Sequence, residues 1–163
     1  MLLDLREIIG VPGSKVTFDY EPDLSKEVIG SIVRIKQPSR AAGSVTNSAG
    51  VLTFSAIVDA LSVCVCARCL KEFEYPVHQQ ISVYLTEGGE DGDNSDSYLL
   101  QGDKLDADEI IITEFALELD QRYLCREDCA GLCEKCGANL NSGQCDCLIA
   151  IDPRFAVLEQ LLD

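Results

Sequence analysis

The stretch VLTFSAIVDALSVCVCARCLKEFEYPVHQQISVYL, residues 51–85, sets the fold class. Residues 51–66 form a long run rich in β-branched and apolar residues, and 73–85 form a second. Between them the CARC turn supplies a tight reversal, so the two runs read as neighbouring antiparallel strands. Pro76 lacks an N–H and suggests an edge or a bulge there.

Working outward, KVTFDYEP (15–22) alternates with Val16, Phe18 and Tyr20 on one face, and VIGSIVRIKQP (28–38) continues in β style. PSRAAG (38–43) reads as a loop and NSAG (47–50) as a tight turn. Leu2, Leu5 and Ile9 have helical spacing, which predicts a short helix over 1–9 ended by VPG. TEGGEDGDNSDS (86–97) is acidic and has no aliphatic residue, so it reads as a mobile loop. LDADEIIITEFALELDQRYL (105–124) reads as a helix capped by Asp106, with a capping box through Glu109. Its stripe of Ile112, Ala116, Leu119 and Tyr123, flanked by Ile111 and Phe115, should lie on the sheet. DPRFAVLEQLLD (152–163) predicts a second helix, capped by Asp152 and docked through Phe155, Leu158 and Leu162.

The expected architecture is α+β: an antiparallel meander packed by a central helix, followed by a small Cys-rich tail and a terminal helix. Its division is a β-rich core over 1–122 and a metal-binding tail over 123–163.

Nine cysteines stand at 64, 66, 69, 125, 129, 133, 136, 145 and 147. No run approaches the ~20 apolar residues of a bilayer span, and the charged start MLLDLREIIG does not read as an export signal. The expected location is the cytoplasm, where thiols stay reduced and an odd number of closely spaced cysteines favours metal over disulfides.

Zinc takes four thiolates in a tetrahedron, commonly from pairs two residues apart. Cys133, Cys136, Cys145 and Cys147 form one candidate set within fifteen residues. Cys66, Cys69, Cys125 and Cys129 form a second if the fold carries the end of the central helix to the CARC turn. Other pairings, including one site shared among three pairs, stay open. Cys64 shares a strand face with Cys66 and reads as a small buried hydrophobe.

Iron–sulfur ligation ranks below zinc, because the spacing follows neither usual ferredoxin pattern. A thioredoxin-like redox site needs its CxxC at a helix N-terminus after a strand, whereas CARC lies between two strands. One or two structural zinc ions, each with a closed shell, therefore make the expected cofactor. No phosphate loop G-x-x-x-x-G-K-[ST] occurs, and the single histidine, His78, sits in a strand-like segment. No catalytic residues are assigned.

The formal net charge is −15. Twelve of the acids, against one base, lie between Glu87 and Asp120. That surface suits basic protein partners and repels a nucleic-acid backbone. A rival reading places Arg34, Lys36 and Arg40 with Arg68 and Lys71 in a local basic patch that touches RNA.

CARCLKEFEYPV (66–77), the run C-x-x-x-C-x-G-L-C-x-x-C-G-x-N-L-N (125–141) and DPRFAVLEQLL (152–162) together resemble the YceD-like large ribosomal RNA subunit accumulation proteins. The resemblance implies a non-enzymatic accessory factor for accumulation of 23S ribosomal RNA and assembly of the large ribosomal subunit. It carries over to Cys66, Arg68 and Cys69, and to Cys125, Cys129, Cys133 and Cys136. Where the family often has prolines before the first tail cysteine, this chain has LDQRYLC (119–125), so its helix is expected to run closer to Cys125. The physical reading beside this resemblance is a protein adaptor for basic ribosomal proteins or assembly factors, with no membrane and no small-molecule substrate. Its rivals are direct zinc-module RNA binding and a thiol oxidoreductase.

Overall fold

The computed structural model describes residues 1–87, 97–100 and 102–147. Most of the predicted acidic loop and the whole of the predicted C-terminal helix lie outside them.

Among the described residues the chain runs β1 (Leu2–Asp4), α1 (Arg6–Ile9), β2 (Lys15–Tyr20), β3 (Ile32–Ser48), β4 (Val51–Val65), β5 (Glu72–Glu87), β6 (Ser97–Leu100), β7 (Lys104–Asp106), α2 (Ala107–Glu118) and a 3-10 turn, Leu140–Ser142. Strands β2 to β6 form one sheet in sequence order, and β1 pairs with β7 in a separate two-stranded ribbon. The structure is thus mostly β with few helices, consistent with an α+β fold in the broad sense.

The meander follows from local chemistry. Ser48 pairs with Val51 across a two-residue turn in which Ala49 and Gly50 take φ of 52° and 91°. Two positive φ values at the turn match the strand twist, as hairpins of this length require. Alternate β4 residues Leu52, Phe54, Ala56, Val58 and Ala60 are buried on one face. Helices α1 and α2 cover that face together with the β1–β7 ribbon. Phe18 stacks on Phe54 at 5.2 Å, passing over Gly43, where any side chain would strike the Ser55 carbonyl and the Phe18 ring.

Five expectations need correction. Residues 38–43 are not a loop: Arg40 to Gly43 pair with Asp59 to Ala56, because β4 offers a full ladder and a register shift between Lys36 and Arg40 absorbs the misfit. The sheet is not wholly antiparallel, since β6 joins β5 in parallel over Tyr84–Glu87. Residues 86, 87 and 97, assigned to the loop, are strand. The N-terminal helix is a single turn, because Leu2–Asp4 pair with Lys104–Asp106 instead.

Helix α2 is the fifth correction. Asp106 caps it, accepting from the backbone N–H of Asp108. It ends at Glu118, where Leu119 turns extended at ψ 131°. The fully buried positions are Ala107, Ile110, Ile111 and Phe115, one step round from the predicted stripe, while Ile112 and Ala116 are half-buried. Leu119 and Tyr123 are buried, but by an extended segment rather than by the helix.

That segment delivers the tail. The Gln121 carbonyl accepts from Ser31 N–H at 3.1 Å and lies against Gly30, where a Cβ would sit 2.4 Å from it. Tyr123 packs its ring on Tyr75 at 4.8 Å, and its carbonyl accepts from Ala67 N–H at 2.9 Å. Its hydroxyl accepts from Asp120 N–H. Residues 119–123 are therefore laid along the sheet toward the CARC turn, and Cys125 arrives there.

Candidate metal centres

Two groups of four cysteines come together: Cys66, Cys69, Cys125 and Cys129, and Cys133, Cys136, Cys145 and Cys147. In each, all four Sγ atoms lie within 4.8 Å of one another. The second group follows the tail's own spacing, whereas the first depends on the fold contact that brings the CARC turn to Cys125 and Cys129.

Cys66 follows directly on the end of β4 and Cys69 closes the turn before β5. The turn is a knuckle: Leu70 N–H donates to the Cys66 carbonyl, and Cys66 N–H to that of Lys71. Backbone N–H groups of Cys125, Cys69 and Arg68 point at the Cys66 sulfur. The tail repeats this turn. Gly137 N–H donates to the Cys133 carbonyl and Cys133 N–H to that of Ala138, with N–H groups of Cys136 and Lys135 on the Cys133 sulfur.

In the first group Cys66 faces Cys129, and Cys69 faces Cys125, each at 3.7 Å between sulfurs. A disulfide would bring them to ~2.05 Å. A tetrahedron with Zn–S of ~2.3 Å has edges of ~3.8 Å, so this spacing fits four thiolates around one ion.

The electrostatics point the same way. Burial pushes the Cys66 thiol up, but the converging N–H groups outweigh it and bring it down to about 6. Burial and hydrogen bonds with Cys66, Cys69 and Cys129 push Cys125 up to about 12. In the tail the N–H groups of Cys136 and Lys135 bring Cys133 down to about 6. A hydrogen bond with Cys136, then burial, pushes Cys147 up to about 12. Each group thus favours at least one thiolate, Cys66 and Cys129 in the first and Cys133 in the tail, and resists the last, the repulsion that a divalent cation relieves. A metal ion held by all four sulfurs of either group would have no open coordination position.

Further residues brace the sulfurs. Arg68 donates through Nη1 to the carbonyls of Cys129 and Glu127, at 3.0 and 3.3 Å, and so spends hydrogen bonds on the 125–129 loop. Asn141 was not singled out from the sequence. Its Nδ2 donates to Cys129 Sγ at 3.4 Å, and its Oδ1 accepts from Ala130 N–H at 2.9 Å. It lies between Cys136 and Cys145 in sequence yet serves the other group, as partners beyond the metal ligands often do. The run C-G-A-N-L-N (136–141) was the available signal.

Cys64 is buried in the main core, 3.4 Å from Ser62 Oγ, and stands outside both groups.

Most of the other residues named for a basic patch stand beside carboxylates. Arg34 and Lys36 lie on β3 and pair with Glu72 and Glu74 on β5. Arg40 pairs with Asp19 on β2. Lys71 is exposed at the CARC turn. His78 contacts Asp59 at 2.6 Å on the exposed sheet face. Among the described residues no helix is long and apolar enough to cross a membrane.

Three proteins described only as uncharacterized, two from strains of Mycobacterium tuberculosis and one from Mycobacterium bovis, are each 36% identical to the chain over 123 residues. The match covers 71% of this chain, which spans 57% of each relative's length. No solved structure matches. Residues 54–162, which contain both cysteine groups, match the family described as large ribosomal RNA subunit accumulation protein YceD. The chain belongs to that family.

Proposed function

We propose that the protein is a non-catalytic accessory factor for 23S ribosomal RNA accumulation and large-subunit assembly, acting as an adaptor for basic ribosomal proteins or assembly factors. The family description supplies the process. The observation that carries the adaptor reading is the pairing of two sulfur-only sites with an acidic exterior. Two structural zinc ions would hold the 123–147 region in shape, and neither would leave a position for substrate. On α2 and its exit, Glu109, Glu118 and Asp120 are exposed, and the helix has no basic residue in its last turn. The cations proposed for RNA contact are largely engaged by acids, and Arg68 braces the 125–129 loop, which supports a protein partner over a phosphate backbone. Such charge sets encounter rate and selectivity more than affinity.

Gradient cofractionation with large-subunit precursors tests the reading. Neutralising Asp103, Glu109, Glu118 and Asp120 to their amides should remove the protein from those fractions, while Lys71→Glu leaves it there. Lys71→Glu is the clean probe, because Arg68→Glu would also release the Cys129 loop. Loss with Lys71→Glu alone would transfer the proposal to RNA, and indifference to both would end it.

A further inference from the structure

Among the described residues, strand β5 carries a long unpaired edge. Its ladder with β6 covers only Tyr84–Glu87, and among the described residues no strand pairs with its outer side from Glu72 to Val83. Backbone N–H and C=O groups on such an edge need partners, and proteins usually blunt or cover them. Pro76 removes one N–H and blunts the edge only there.

The edge borders a groove of about 470 Å³. Tyr75 to Gln80 form one wall, and Glu118, Leu119, Asp120 and Tyr123, where α2 gives way to the extended segment, form the other. Six residues of strand span ~20 Å, the length of a short extended peptide. The second wall brings two exposed carboxylates and no cation. Gln79 fixes one of them: its side-chain N–H groups reach Glu118 Oε2 at 2.7 Å and the Glu114 carbonyl at 3.3 Å. The residue is 6% exposed, and its Oε1 has no partner among the described residues.

Backbone polarity along one wall and negative charge along the other call for a ligand with both complements. A strand edge is completed by an extended backbone rather than by side chains alone, and a nucleic acid would bring phosphates to Glu118 and Asp120. We propose that the Tyr75–Gln80 edge of β5 docks an extended basic peptide segment of a partner protein, which adds as a strand and sets Lys or Arg side chains against Glu118 and Asp120. The choice of partner rests on the adaptor reading; the groove and its edge do not.

The test uses the full chain as purified and a fluorescein-labelled octapeptide, Lys-Val-Lys-Thr-Lys-Val-Lys-Thr, followed by anisotropy and by amide shifts of the labelled protein. Saturable binding is expected, with shifts confined to residues 75–80 and 118–123. The Glu118→Gln, Asp120→Asn double variant should weaken binding at least tenfold, and a peptide with Glu in place of Lys should not bind. Two further peptides, N-methylated on alternate residues in the two possible phases, separate strand pairing from charge. One should bind like the parent and the other at least tenfold more weakly.

Equal behaviour of the two methylated peptides overturns the proposal, as does absence of saturable binding. Slow hydrogen exchange of the 73–83 amides outside the β4 ladder, measured without peptide, also overturns it, because the chain's own residues would then cover the edge. If the peptide fails while the acid-neutralised variant still leaves the large-subunit fractions, the groove proposal falls and the adaptor reading stands.

Discussion

Cys66–Cys69 and Cys133–Cys136 close the same turn, with matching backbone hydrogen bonds, yet the two sites sit in different surroundings. In the first, Cys66, Cys69 and Cys129 are buried, with Phe73, Leu124 and Leu132 packed around them. In the second, Cys136 is exposed and the other three are half-buried. The first draws ligands from the end of the sheet and from a segment 56 positions later, the second from fifteen consecutive residues. Chain entropy alone barely separates them. A cross-link closing ~55 residues contributes ~4 kcal/mol and one closing ~10 contributes ~3 kcal/mol. Burial makes the difference: the first site is a small core of its own that joins the tail to the sheet, whereas the second shapes a surface loop.

The largest expected contrast is therefore between Cys69→Ser and Cys136→Ser. The first should cost at least ~3 kcal/mol, a fall in Tm of about 10 °C, because it opens a buried cluster and frees the 125–129 loop. The second should leave the unfolding of the sheet within about 3 °C of the parent. Scanning calorimetry under reducing conditions reads both, and equal losses would erase the distinction.

Asn141 is where the two regions touch, and its substitution sharpens the comparison. Asn141→Ala removes the N–H donor on Cys129 Sγ and the acceptor for Ala130 N–H. Metal affinity of the first site should fall ~10-fold or more, although none of its ligands has changed. Chelator competition monitored with a zinc indicator would show the slower release phase accelerating toward the faster one.

The smallest effect tests the shared turn. Leu70 and Gly137 hold the same place after the second cysteine, with φ of 58° and 71°. A leucine there is strained by about 1–2 kcal/mol, and it is also 63% exposed. Leu70→Gly should be neutral or stabilise by up to ~1 kcal/mol, glycine's greater freedom in the unfolded chain offsetting part of the relief. Gly137→Leu should destabilise the tail site by ~1–2 kcal/mol, seen as earlier zinc release with little change in the melting of the sheet.

What could be read from the sequence follows the same local and non-local division. The Ala49–Gly50 turn, the β4–β5 hairpin and the Asp106 cap depend on neighbours in sequence, and the patterns of residues 47–66, 73–85 and 105–110 disclose them. Residues 38–43 look like a loop because serine, arginine and glycine have weak strand preference, but β4 supplies a ladder that overrides it. The parallel β6 and the β1–β7 ribbon arise from pairings with distant partners, which alternation within one strand does not specify. At the cysteines, the CxxC spacing exposed both knuckles. The meeting of the CARC turn with Cys125 and Cys129 depends on Gly30, Gln121 and Tyr123 guiding an extended segment, where the sequence suggested a longer helix. The sequence offers Arg68 as one cation of a patch for RNA, and only the fold shows it bracing the Cys129 loop.

Native mass spectrometry of the freshly purified, reduced full chain tests the central claim most directly. The account predicts two zinc ions per chain, falling to one under mild chelation while the protein stays folded, with Cys66, Cys69, Cys125 and Cys129 still protected from alkylation. A metal-free mass for a folded chain whose four site-one thiols remain protected would contradict it.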